Sequence, residues 1–246
     1  MIDFSTLQGL TIPEGAVAQI ADASGRVLWA AQSDTVVLEV EKITSNTYVS
    51  GSSYTDEQFI LLDIYPKTNG TVNVTYGGVT KTITDTSGAE SPNSVQVYFG
   101  TYGGASDGTP ASGTLKITGD CAAFACSTYT TSKTDLNRYW TKILSIINLG
   151  AIELIPSYFL GTATYTCDNI TSIVLPKTLK QIEDTAFVGA PNLTSAIFKD
   201  ANGWVCEKTS ASGSSDKFSL EGKLDDPATN ATYLKSTYSS YVWTKT

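Results

Sequence analysis

Short runs in which apolar and polar residues alternate cover much of this chain. Val36, Leu38 and Val40 alternate with polar or charged neighbours. Val72, Val74 and Tyr76 do the same, and the link Gly77-Gly78 returns the chain through Val79, Lys81 and Ile83, which predicts a tight β-hairpin. Phe59-Ile-Leu-Leu-Asp-Ile is an unbroken apolar run ahead of Pro66 and the turn Lys67-Thr-Asn-Gly, so it reads as a buried strand. Val95, Val97 and Phe99 predict another strand, and Leu115 with Ile117 one more. Period-two strands without a convincing helix predict a mainly β chain with an immunoglobulin-like β-sandwich over residues 34–119. The Cys…Trp…Cys core of antibody domains is missing, so the expected likeness is architectural, a spacer or binding platform.

Residues 1–33 carry Leu10-Thr-Ile-Pro-Glu-Gly, then Val17-Ala-Gln-Ile-Ala-Asp, the turn Ala23-Ser24-Gly25 and Arg26-Val-Leu-Trp. Apolar runs around a short Gly-containing link predict a hairpin. So short a segment cannot bury a core by itself. Ile12, Ile20, Leu28 and Trp29 are therefore candidate assembly contacts, packing on the chain's next domain or on another protein.

Self-alignment exposes an internal repeat in residues 120–205. Lys142-Ile-Leu-Ser-Ile-Ile lines up with Asn169-Ile-Thr-Ser-Ile-Val and Asn192-Leu-Thr-Ser-Ala-Ile, at offsets of 27 and 23 residues. Ile152 and Ile155 fall where Leu179 and Ile182 fall, and Phe159 and Phe187 recur, each with Gly161 or Gly189 two residues on. One short strand and several fixed apolar positions per unit predict a leucine-rich-repeat solenoid, whose coils stack because none can bury its apolar face alone. Ser145, Ser172 and Ser195 would form a column held by turn and ladder hydrogen bonds. Residues 206–246 would cap the open end. Asp225 or Asp226 ahead of Pro227 predicts a short helix through about Ser236, and Tyr238, Tyr241 and Trp243 would cover the last coil. The small, polar stretch from Thr209 to Asp216 reads as a mobile loop.

Composition then removes whole classes of chemistry. The chain has 246 residues and no histidine, which excludes Ser/His and Cys/His nucleophilic sites and His-ligated metals. Its net charge of −8 is wrong for gripping phosphate backbones or anionic lipid. No nucleic acid, membrane insertion, cofactor or metal is expected. Thr and Ser make up about a quarter of the chain and charged residues only 16%, a β-rich profile. The N-terminus has no secretory signal pattern. Cys121, Cys126, Cys167 and Cys206 form no C-x-x-C pair, so reduced buried thiols are expected, with a Cys121/Cys126 link as the alternative. Glu153, Asp168, Glu183, Asp184 and Asp200 lie in the repeat region. Two of them at glycosidase spacing could cleave a glycan, yet nothing in the sequence fixes such a pair. No catalytic residue is assigned.

Ile155-Pro-Ser-Tyr-Phe-Leu-Gly and the run Leu175-Pro-Lys-Thr-Leu-Lys-Gln-Ile-Glu-Asp-Thr-Ala-Phe-Val-Gly-Ala-Pro-Asn-Leu-Thr-Ser-Ala-Ile resemble the BspA-like leucine-rich repeat, LPxxLxxIxxxAFxxCxxLxxIxxP. Ala190 stands where that family has a packing Cys. In bacteria such repeats belong to surface adhesins that bind host proteins or other cells. The opening, Leu10 to Trp29, resembles tail-associated structural proteins of bacteriophages of gut bacteria, and Leu224 to Trp243 resembles the tail cap that follows such repeats. These resemblances imply a non-enzymatic virion structural protein, a tail fibre or appendage component made in the host cytoplasm. Its expected partners are other virion proteins and a host cell-surface glycan or protein, and homo-oligomerisation adds avidity. Tyr158, Tyr165 and Tyr241 are the candidate receptor or partner contacts, because Tyr offers amphipathic area at low entropic cost. The alternatives are a bacterial cell-surface leucine-rich-repeat adhesin, a head-decorating fibre and a glycan depolymerase.

Overall fold

The structure is a computed structural model and describes residues 19–21, 27–30, 34–49, 52–85, 94–102, 105–125, 142–163, 166–209 and 215–246. The described residues are mainly β, with several antiparallel sheets and, among them, one short α-helix. Strands β1 (Gln19–Ala21) and β2 (Val27–Ala30) pair antiparallel with Ile20 opposite Trp29, as the N-terminal pattern predicts.

The chain continues through β3 (Val36–Glu41), β4 (Ile43–Val49), β5 (Ser52–Pro66), β6 (Thr71–Tyr76), β7 (Val79–Thr84), β8 (Val95–Tyr102), β9 (Ala105–Ser106), β10 (Ser112–Gly119), β11 (Cys121–Ala125) and β12 (Lys142–Leu149). One sheet runs in the order β12-β3-β10-β6-β7, the other β11-β5-β8-β9 with β4 on β5. Alternation decides which side chains meet between them. Val36, Leu38, Val72, Val74, Leu115 and Ile117 of the first sheet are buried, as are Ile60, Leu62, Ile64, Val97 and Phe99 of the second. The Tyr76 and Phe99 rings meet edge to face at 5.7 Å. Burying each such side chain contributes about 1.5–3 kcal/mol. Gly77 and Gly78 both have positive φ, +56° and +83°, the geometry the two-residue β6–β7 hairpin needs.

The repeat enters this framework at two points. Strands β13 (Leu154–Ile155), β14 (Ser172–Leu175), β15 (Gln181–Ile182) and β16 (Ser195–Phe198) make parallel ladders. Leu154 pairs with Gln181 and Ile155 with Ile182, 27 residues apart. Ser172 pairs with Ser195 through to Leu175 with Phe198, 23 residues apart. These registers equal the offsets of the self-alignment. The turns repeat as well, since Tyr158 and Thr185, one unit apart, both have left-handed φ near +58°. The recurring apolar positions Ile152, Ile155, Phe159, Leu179, Ile182, Phe187 and Leu193 are all buried. Gly189 has a packing reason: a Cβ there would lie 2.3 Å from the Leu160 carbonyl oxygen of the coil below.

The first unit departs from expectation. Its strand, β12, lies antiparallel to β3 in the first sheet, with Ser145 opposite Glu39 and two register shifts, so Ser145 does not ladder with Ser172. Without β12, β3 would be an edge with unpaired backbone groups, and β12 satisfies them while burying Ile143 and Leu149. The serine column is thus reduced to Ser172 and Ser195. Nor does the Ser195 hydroxyl make the expected bond, since it is buried without a hydrogen-bond partner. Because β11 pairs with β5 and β12 with β3, residues on both sides of position 119 share sheets. Phe124 of β11 meets Phe159 at 5.0 Å, and Phe159 meets Phe187 at 5.9 Å, which carries one core from the antiparallel sheets into the repeat units. Glu153 reinforces the junction: its N–H donates to the Ala122 carbonyl at 2.8 Å, and its carboxylate pairs with Lys67 at 2.8 Å and Lys180 at 2.6 Å.

The C-terminal segment consists of β17 (Trp204–Thr209), β18 (Ser215–Ser219), α1 (Pro227–Thr232), a π-helical turn over Tyr233–Thr237, and β19 (Val242–Lys245). Asp226 is the N-cap, accepting from the Thr229 N–H at 2.8 Å, with Pro227 in the first turn. The buried Asn230 amide donates to the carbonyls of Ala196 and Leu224, both at 3.0 Å, and so reaches the backbone of the last coil strand. Trp243 stacks on Phe198 at 6.1 Å, and Trp204 meets the same ring at 5.5 Å. The stretch expected as a mobile loop belongs in part to a strand pair, with Lys208 opposite Asp216 and Thr209 opposite Ser215; residues 210–214 lie outside the described part.

Candidate functional site

Strands β13 and β15 of the coils continue into β19, β17 and β18 as one five-stranded sheet, ordered β13-β15-β19-β17-β18. Its pleat turns Trp204, Cys206 and Trp243 inward, where they are buried. Cross-strand pairs Glu207–Val242 and Val205–Thr244 occupy the alternate positions, which face the other way. A groove of about 540 Å³ lies there, lined by Asp184, Glu207, Lys208, Ser240, Val242 and Thr244.

The turn after β15 forms one wall. Ser157 of the preceding coil donates to Asp184 at 3.0 Å, and the Thr185 N–H donates to the Ser239 carbonyl at 2.6 Å, joining that wall to the segment carrying Ser240. Thr185 is a β-branched residue at φ +59°, an outlier that persists only where its surroundings hold it. The groups along the groove have internal partners. Glu207 accepts from Ser215 at 2.9 Å and Lys217 at 3.0 Å, and these bonds hold its carboxyl below the usual range, Lys217 first. Lys208 donates to Ser240 at 2.9 Å and sits 5.7 Å from the centre of the Tyr241 ring.

The residues expected to make contacts do not converge on this groove. Tyr241 flanks it: its hydroxyl donates to Asp216 at 2.6 Å, which raises the phenol's pKa, and its ring packs on Phe218 and Tyr238. Tyr158 is half-buried in the coil beneath Asp184 and Thr185. Tyr165 lies outside the described residues, as do Ile12, Gly25 and Cys126. Ile20 lies in β1 opposite Trp29 of β2, the strand that also holds Leu28, and β2 lies against β14. Sequence reading missed the groove because Glu207, Lys208, Ser240 and Thr244 look like any solvated residues until the pairing of β17 with β19 brings the two stretches together.

Most of the acids weighed for glycan cleavage are tied to partners. Glu153 is held below the usual carboxylate range by Lys180 and Lys67, and Asp200 by Lys245 and the Asn202 N–H. Glu183 accepts from Gln181. A general acid for glycoside hydrolysis needs the opposite shift. The carboxyl pushed upward is Asp63, in the middle of β5, where burial raises it to about 6 against a hydrogen bond from Gln96. The sequence signal for it is a single acid inside the apolar run from Phe59 to Ile64. Among the described residues, no three His, Cys, Asp or Glu side chains are placed to hold a metal ion, and no helix is long and apolar enough to cross a membrane. Cys121, Cys167 and Cys206 are free and buried, with burial pushing their thiols up to about 12, 11 and 12. No family model, curated protein or solved structure matches this chain.

Proposed function

We propose that this chain is a non-enzymatic structural component of a bacteriophage virion, a tail fibre or appendage protein that mediates assembly and adhesion to the host surface. In this reading residues 34–119 are an immunoglobulin-like platform. The following coils are a short BspA-like leucine-rich solenoid that carries a capped, groove-bearing end outward, and the β1–β2 hairpin joins other virion proteins. The observation that supports it most is the agreement between the repeat offsets and the parallel registers, 27 residues at β13–β15 and 23 at β14–β16, in the segment whose residues resemble adhesin repeats. The ion-paired acids favour holding over cutting.

The test is localisation on intact particles. Antibodies to the cap should label purified virions at the tail and block adsorption to the host. Labelling at the head would favour the decorating fibre, and an uninfected bacterium displaying the protein on its surface would favour the bacterial adhesin. A protein found free in lysates and missing from particles would refute the virion reading.

A further inference from the structure

We propose that the groove between Asp184, Glu207 and Ser240 is a binding site for a neutral oligosaccharide, an inference that takes the adhesive reading above as its setting and specifies the ligand class. Four observations carry it. First, the volume of about 540 Å³ is that of an ordinary small-ligand site, ~300–1,000 Å³. Second, five of the six lining residues are polar or charged, with Val242 the sixth, so the surface offers a ligand several hydrogen-bonding side chains.

Third, the floor strands β17 and β19 are interior strands of their sheet. β17 is paired on both sides, with β18 and β19, so an extended peptide has no edge of β17 to join, and recognition there falls to side chains. Fourth, the groups along the groove already have internal partners: Glu207 pairs with Lys217 at 3.0 Å, Lys208 donates to the Ser240 hydroxyl and Asp184 accepts from Ser157. A cationic ligand on Glu207 would compete with Lys217. A polyol would instead use the remaining lone pairs and N–H groups of Glu207, Lys208, Ser240, Thr244 and Asp184 as they stand. The strained Thr185 turn, fastened to Ser239, keeps the two walls at a fixed separation, which lowers the ordering cost of binding.

The experiment uses the full chain and defined probes: neutral gluco-, galacto- and manno-oligosaccharides of two to six units, with sialylated and uronate-containing oligomers alongside, titrated by calorimetry and ligand-observed NMR. Val242→Arg fills the groove, Thr244→Ala and Glu207→Gln thin its hydrogen bonds, and Thr118→Arg places the same bulk on a remote exposed strand face. A neutral oligomer should bind, weaken at least tenfold in Val242→Arg and several-fold in Thr244→Ala and Glu207→Gln, and be unaffected by Thr118→Arg. Melting curves identify any variant that fails to fold, and the two milder substitutions then decide. Binding by none of the neutral oligomers, affinity indifferent to all three groove variants, or a preference for the acidic oligomers overturns the proposal. Virion labelling is scored separately: labelled particles without sugar binding sink the groove and spare the adhesin, and sugar binding without labelled particles does the reverse.

Discussion

Replacing Asp63 with Asn should make this protein more stable at neutral and alkaline pH and remove one component of its pH dependence. Asp63 lies in β5 opposite Gln96 of β8 and Ala125 of β11, only 8% exposed, and burial raises its carboxyl to about 6. In the unfolded chain the same group titrates near ~3.9. The folded state therefore retains a proton that the unfolded state gives up, so stability falls as pH rises from about 4 to about 6 and then levels off. A shift of about two units at ~1.4 kcal/mol per unit makes the penalty about 3 kcal/mol above pH 7. Asn keeps the shape and a hydrogen bond to Gln96 without the charge. Urea unfolding followed by tryptophan fluorescence, for both proteins at half-unit steps from pH 4 to 8, isolates the term as a difference, because every other titrating group is common to both. The gain should be near zero at pH 4 and reach about 2–3 kcal/mol by pH 7.5. A difference that does not change with pH, or a variant less stable than the parent at pH 8, would refute the assignment of a buried, raised carboxyl.

Other expectations follow from the cap, the junction and the thiols. Asn230→Ala leaves two buried carbonyls without their donor and should cost about 2–4 kcal/mol in the same urea assay; Asn230→Asp should cost more at pH 8 than at pH 4, since a buried carboxyl with a raised pKa destabilises most when ionised. Glu153→Gln removes the Lys67 and Lys180 pairs, a loss of about 0.5–1 kcal/mol after solvent screening. Because the folded pKa of Glu153 is depressed, its contribution is present above the unfolded value of ~4.3 and fades as pH falls through the folded value. High salt should shrink the difference between parent and variant. Gly189→Ala forces a methyl into the Leu160 carbonyl and should lower stability by about 1–3 kcal/mol, read as a drop in Tm. Iodoacetamide at pH 8 should leave Cys121, Cys167 and Cys206 unlabelled until denaturant is added, as peptide mass spectrometry will show; rapid labelling of any one in the folded protein would contradict its burial.

Strands such as β3 and β6 were legible because each has one wetter face and one dry one, a difference that alternation records directly, and Phe59 to Ile64 was legible as an unbroken apolar run. The repeat was legible for a related reason: strands that pair in parallel one unit apart place like residues at like positions, so Ile155 and Ile182, or Ser172 and Ser195, announce their pairing. The place of β12 was not. Lys142-Ile-Leu-Ser-Ile-Ile aligns with Asn169-Ile-Thr-Ser-Ile-Val through Ile143, Ser145 and Ile146, and only the vacant edge of β3 draws it onto that sheet, a long-range demand with no local mark. The same limit hid the groove, whose members come from three separate stretches and meet through a register. Tyr241, singled out for its chemistry, stands beside the groove with its hydroxyl on Asp216 and its ring on Phe218, contacts that its sequence neighbourhood does not announce.

The shared core around β11 and β12 also governs how such a protein could be re-engineered or recombined. A chimaera cut at residue 119 would leave β3 and β5 each without a neighbouring strand, would expose Phe124 and Phe159, and would strand Lys67 from Glu153. Transplanting the distal coils and their groove onto another platform therefore requires the donor to bring β11 and β12 with them and the recipient to present two open edges at the right spacing. Exchange of specificity between proteins of this plan is easier at the far end, where β17, β18 and β19 can vary their outward-facing residues on a sheet whose inner face of Trp204, Cys206 and Trp243 stays constant.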